Sequence, residues 1–185
     1  MAHARIGSFL LALVLVVAAS MGTRPAAAAS AGEINRDVDA ALTKLYAHVP
    51  EARALAKRAK AILVFPSIVK AGFLLGAQYG DGALRRGGKT VGYYNSVAAS
   101  YGFQAGVQSF GYVLFFMTDS ALSSLNNTEG FELGVGPSVV VLDSGAAKAL
   151  TTTTMQSDVY AFIFDQRGLM AGAGLQGSKI SRIDR

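Results

Sequence analysis

The residues best suited to chemistry lie in Ala83-Leu84-Arg85-Arg86-Gly87-Gly88-Lys89-Thr90, which fits G-x-x-x-x-G-K-T with Ala in place of the first Gly. A phosphate loop needs a buried strand before it and a helix starting at the Lys-Thr pair, so that backbone amides and the helix dipole converge on phosphate. Here Val91-Gly92-Tyr93-Tyr94 follows, a β-like stretch. The segment therefore reads as a basic hairpin tip. Beyond the first thirty residues the chain has a single histidine, His48, and one histidine cannot make a multi-histidine metal site. Zero cysteine excludes disulfides, thiolate metal sites and cysteine nucleophiles together. No G-x-S-x-G elbow occurs. Asp119, Glu129, Glu132, Asp143, Asp158 and Asp165 are spread singly, at expected turns and strand ends, without a pairing that suggests acid–base work. The reading is a protein that is not an enzyme, with no metal and no cofactor.

Charge is distributed more tellingly than any motif. Arg53, Lys57, Arg58, Lys60, Lys70, Arg85, Arg86 and Lys89 stand against Asp81 alone between residues 53 and 89. From 90 to 166, Lys148 stands against six acids, and the tail from 167 to 185 is basic again. A clustered basic patch concentrates anions and favours phosphate-rich partners such as lipid headgroups. Lys57, Arg58, Lys60, Lys70, Arg85, Arg86 and Lys89 are the candidate binding set.

The elements that must position these residues begin after a leader. Residues 1–29 combine a basic start at Arg5, an apolar run over residues 6–19, a break at Arg24-Pro25, and small residues 26–30. These are the parts of a secretory signal, and the run is shorter than the roughly 20 residues a membrane-spanning helix needs. The expectation is an exported protein, periplasmic or secreted and peripheral on a membrane at most, with no retained transmembrane helix. Nucleic acid is then not a partner. Cleavage after Ala29 leaves 30–185 as one domain. It removes Arg5 and Arg24 and no acid, so the formal net charge falls from +5 to +3.

Within that domain no glycine lies between Gly32 and Gly72, and eighteen of the 21 lie from Gly72 to Gly177. The shift separates a helical front, 33–60, from a β-rich body, 61–182. Ile34, Val38, Ala41, Leu42 and Leu45 form one amphipathic stripe. Pro50 ends that helix and opens a second, 51–60. The body reads as strands at 62–65 (closed by Pro66), 72–80, 91–99, 101–108, 112–117, 131–141, 158–164 and 169–180. Asp119 caps a short helix through Leu125, and a turn is expected at 144–150 before the threonines 151–154. The fold class is α+β, with N-terminal helices packed on a Gly-rich, curved antiparallel sheet or barrel.

An internal echo marks the glycine-rich part. Residues 72–78 and 102–108 both read G-F-x-x-G-x-Q, and glycines 72, 76 and 80 share a parity, as do 102 and 106. Residues of one parity point to one face of a strand. Such a bare face suits close approach of a helix or an opposite sheet wall, or else a flat ligand.

The stretch Ala61-Ile62-Leu63-Val64-Phe65-Pro66-Ser67-Ile68-Val69-Lys70-Ala71-Gly72-Phe73 resembles the start of the SYLF domain. So do Tyr101-Gly102-Phe103-Gln104-Ala105-Gly106-Val107-Gln108, the run Val113-Leu114-Phe115-Phe116-Met117-Thr118, and Gly168-Leu169-Met170-Ala171-Gly172. Order and spacing agree over about 35–182. The resemblance implies lipid binding: eukaryotic members engage phosphoinositide membranes through an N-terminal amphipathic helix and basic residues. Fungal relatives bind and bundle actin, which an exported protein does not meet. The resemblance points to anionic phospholipid as partner, with Lys70 and the preceding Lys57, Arg58 and Lys60 aligning best. The expected mechanism joins charge attraction to shallow insertion of the helix's apolar stripe. The alternative is a structural or protein-interaction domain of the cell envelope, with an envelope protein as partner.

Overall fold

The structure, a computed structural model, describes residues 28–126, 131–132, 138–142 and 156–185. The leader expected over 1–29 lies outside these residues apart from Ala28 and Ala29, as do the turn expected at 144–150 and the threonines 151–154. No described helix is long and apolar enough to cross a membrane.

Helix α1 (Ala31–His48) starts where Ser30 and Glu33 cap each other: the Glu33 amide donates to Ser30 Oγ and the Ser30 amide to Glu33 Oε2 at 2.8 Å. Its stripe of Ile34, Val38, Ala41 and Leu45 is buried. Pro50 is the N-cap of α2 (Glu51–Arg58), which buries Ala52 and Leu55. A third helix, α3 (Asp119–Leu125), is capped by Thr118, whose Oγ1 accepts from the Ala121 amide. Asp119, expected as the cap, is its first residue.

The expected series of short strands is instead three long ones: β1 (Ala61–Arg86), β2 (Lys89–Phe116) and β5 (Val159–Ile183). Pro66 does not end β1. It falls in a register shift between Phe65 and Ile68, where its missing N–H costs no ladder bond. Gly87 and Gly88 join β1 to β2 with φ of +57° and +78°, as a two-residue hairpin turn with both central residues left-handed demands. No helix follows Lys89-Thr90, so the hairpin reading of that segment holds and the phosphate-loop geometry is absent.

The sheet runs β1-β2-β5-β3, with β3 (Phe131–Glu132) on the far edge and β4 (Val139–Leu142) also pairing β5. One strand was expected over 131–141; residues 133–137 between β3 and β4 lie outside the described set. The sheet is antiparallel except at one place: β4 pairs β5 in parallel, Val139 opposite Val159 through Leu142 opposite Phe162. Residues 143–158 separate the two, enough chain for the crossover that parallel pairing requires.

Both faces of one end of this sheet are buried, with alternate residues going to opposite sides. Val64, Val113, Phe115, Tyr160 and Phe162 pack with the stripe of α1 and with α2. Leu63, Phe65, Tyr112, Leu114, Phe116 and Ala161 turn the other way, toward Ala121 and Leu125 of α3 and Ile180. Burial pushes the Tyr112 phenol well above its ordinary pKa. The two sides are joined by the curl of β1, which passes over its own beginning. A Cβ on Gly80 would stand 2.7 Å from the Ser67 carbonyl oxygen, and one on Gly82 2.2 Å from that of Val64. The bare glycine face is thus covered, at these positions, by the opposite wall of the sheet.

Gly82→Val therefore forces backbone from backbone and should cost about 3 kcal/mol or more, read as a lower urea midpoint. Gly32→Ala, whose Cβ meets nothing nearer than 4.0 Å, should leave the midpoint unchanged or slightly raised.

Asp158 ties α3, β4 and β5 together. Its carboxylate accepts from the Ser138 amide and hydroxyl and from Thr118 Oγ1, and these bonds, the Ser138 amide first, hold its pKa below the ordinary carboxylate value. A carboxyl depressed in the folded state stabilises it above the unfolded pKa, and that contribution fades as pH falls through the folded value. Unfolding midpoints measured from pH 7 down to pH 3 should fall below about pH 4. Asp158→Asn should lower the midpoint at pH 7 and flatten part of that acid slope, the remainder belonging to Glu33 and Asp165, whose carboxyls are likewise depressed.

Candidate functional site

The curl of β1 brings its hairpin end back over α1. Asn35 Nδ2 donates to the Tyr93 hydroxyl at 2.9 Å, and Thr90 Oγ1 donates to Asn35 Oδ1 at 2.7 Å. Arg85 Nη2 donates to Asp39 Oδ1 at 2.7 Å and to the Asn35 carbonyl oxygen at 3.2 Å. Arg85 is largely buried, 13% exposed at the side chain, whereas Asp39 is 70% exposed. Its Nε has no hydrogen-bond partner among the described residues. Arg85, expected to bind a ligand, thus also fastens the hairpin to α1.

Beside this clamp lies a cleft of about 440 Å³. Leu42 and Tyr46 of α1, Lys57 of α2, Lys60 just before β1, Ile62 at its start, and Arg85 with Gly87-Gly88 line it. The sequence places Lys57 and Lys60 more than twenty residues from Arg85; the fold brings all three to one wall. Lys60 Nζ also reaches Asp119 Oδ2 at 3.2 Å, a pair exposed on both sides. The Arg53 guanidinium sits 5.4 Å from the centre of the Tyr46 ring.

The remaining candidates are divided. Arg86 and Lys89 pair across the turn that ends in this cleft, and both are exposed. Arg58 is exposed as the last residue of α2. Lys70 is not part of the cleft. It lies past the register shift of β1, opposite Gln108 and half-buried. Leu42 and Tyr46 were not singled out as site residues, because helical spacing alone does not say which half-buried side chain borders a cleft.

Two other clefts differ in charge. One of about 270 Å³ between α1 and β5 holds Lys44 and Arg167 against Asp37 and Asp165. Asp165 accepts from Lys44 Nζ at 2.8 Å and from Arg167, with φ +51°, and the Lys44 bond above all keeps its carboxyl below the ordinary range. That set is balanced. The other, about 520 Å³, holds Asp37 and Asp81 and no base. The α2–hairpin cleft, with Lys57, Lys60 and Arg85 against Asp39, has a basic excess.

Because Arg85 is the buried partner of its clamp, Arg85→Ala should cost about 2 kcal/mol and lower Tm by roughly 5 °C. Asp39→Ala, at the solvent end, should cost less; differential scanning calorimetry of the two variants checks the order.

No curated protein matches the chain. Residues 97–184 match the family model of Ysc84, described as Las17-binding protein actin regulator. The matched span runs from within β2 through β5, while α1, α2, β1 and the basic cleft precede it. Over that span the chain is similar to the Ysc84, or SYLF, family.

Proposed function

We propose that this protein is an exported, non-enzymatic lipid-binding module of the cell envelope that takes anionic phospholipid headgroups at the α2–hairpin cleft. The observation that carries the reading is the convergence of Lys57, Lys60 and Arg85 on one cleft beside Leu42, Tyr46 and Ile62. The two lysines, both exposed, present ammonium donors for a phosphate, and the Arg85 guanidinium is already oriented by Asp39. The neighbouring aliphatic and aromatic side chains suit the first carbons of a lipid below its headgroup. A volume of about 440 Å³ is in the range of ligand clefts. The similarity to a family whose eukaryotic members bind membranes, as the resemblance implies, agrees with this chemistry. One part of the expected mechanism is corrected. The apolar stripe of α1 packs on the sheet, with Val38 and Leu45 fully buried, so it is not available to insert into a bilayer.

The alternative, a protein-interaction domain, draws on β1 being one edge of the sheet. Pull-down from lipid-free envelope extract separates the two readings.

In co-sedimentation with phosphatidylcholine vesicles, with and without phosphatidylglycerol, the protein should bind only the anionic vesicles. Binding should weaken as salt is raised. Lys57→Glu with Lys60→Glu should reduce affinity at least about tenfold, since each base near an anionic surface contributes about 1 kcal/mol. Equal binding to both vesicle types, or to neither, would sink the reading.

A further inference from the structure

Away from the helices the sheet keeps one face open. On β1, residues 69, 71, 73, 75, 77 and 79 are all exposed, and the residues between them are half-buried or buried save Leu74. Phe73 is 76% exposed, Leu75 67% and Leu74 47%. Register carries the face across the sheet, because directly opposed residues share a side. Ala71 opposes Val107, which opposes Leu169, and these last two are 59% and 88% exposed. Beyond the bend Tyr79 opposes Val97, both about half exposed.

The backbone makes a projection at the centre of this face. Leu74 has φ +62°, in the left-handed region that a leucine rarely adopts. The chain folds so tightly there that a Cβ on Gly72 would stand 2.5 Å from the Cα of Gly76. Phe73-Leu74-Leu75 is therefore held out from the sheet between two glycines drawn together. Strain held at a protruding apolar tip calls for a use.

Charge indicates the partner. Residues 66–80, 96–118 and 166–183 of this part of the sheet hold no Asp or Glu and carry Lys70, Arg167, Lys179 and Arg182; the acids at its borders are Asp165, paired with Arg167, Asp81, which accepts from the Tyr79 hydroxyl, and Glu132 of β3, opposite Lys179. Arg167 stands in the row of Val69 and Ser109, and Lys179 in the row of Tyr79 and Val97, so a base marks each end of the apolar face. An anionic lipid surface matches both features, with apolar side chains below the headgroups and bases level with them.

We propose that Phe73-Leu74-Leu75 is a membrane wedge: it enters the headgroup–acyl boundary of an anionic bilayer, flanked by Val107 and Leu169, with Arg167 and Lys179 on the lipid phosphates. The proposal rests on the lipid-binding reading and supplies the apolar anchor that the buried stripe of α1 cannot provide.

The chain has no tryptophan, so Phe73→Trp introduces a single reporter at an exposed position. With phosphatidylcholine–phosphatidylglycerol vesicles its emission should shift to the blue and be quenched by lipids brominated high on the acyl chains. Phe73→Ser with Leu75→Ser should lose about tenfold in vesicle affinity while keeping the wild-type Tm. Vesicle binding with unshifted emission, or full affinity in the double variant, overturns the wedge and leaves the basic cleft standing. Failure of the wild-type protein to bind anionic vesicles overturns both. A lipid-free dimer that sedimentation equilibrium detects and the double variant abolishes assigns the face to a second copy and overturns the wedge.

Discussion

Where β1 passes over its own beginning, Gly80 and Gly82 lie against the carbonyls of Ser67 and Val64, so near that neither position has room for a side chain. That backbone contact lets a strand of 26 residues curl within a small domain. It brings Ala83 into the packing around Val64 on the helical side, and Leu84 into that around Phe65 on the other. It also returns the hairpin end to α1, where Arg85, Thr90 and Tyr93 meet Asn35 and Asp39. The basic cleft exists because of this return, since Lys57 and Lys60 precede the curl and Arg85 follows it.

The same economy of surface decides what the helices can do. An amphipathic helix can bury its apolar stripe in a core or in a lipid boundary, and here the core has it. Ile34, Val38, Ala41 and Leu45 cover Val64, Val113 and Phe115, together with Phe162, whose ring meets that of Phe115 edge-on at 5.7 Å. The sheet beyond the helices, by contrast, keeps Phe73, Leu75, Val107 and Leu169 in solvent. The apolar surface open to a partner is thus carried by strands, while α2 contributes charge.

Much of this was legible in the residues. The i, i+4, i+7 spacing from Ile34 to Leu45 describes a stripe whatever it packs on. Gly87-Gly88 between β-like stretches defined the hairpin. The length of the strands was not legible, because Pro66 and the glycine pairs look like ends. A proline in a bulge and glycines at a bend keep a strand continuous, and only pairing with a neighbour distinguishes the two. The parallel placement of β4 was hidden for the same reason: a short apolar run does not state its direction relative to a partner.

The G-F-x-x-G-x-Q echo shows the division most clearly. By itself the sequence determined that two segments share a glycine pattern with one bare face, that the front is helical, and that bases gather between residues 53 and 89. The tertiary structure decided that Gly72 opposes Gly106 at a common bend, and that Phe73 is turned outward there. It also decided which of the seven candidate bases share a cleft: Lys57, Lys60 and Arg85 do, and Lys70 does not. Periodicity and composition are local and survive in the chain as written. Which surfaces meet depends on contacts between residues far apart in sequence, and here those contacts are set by where backbone can touch backbone.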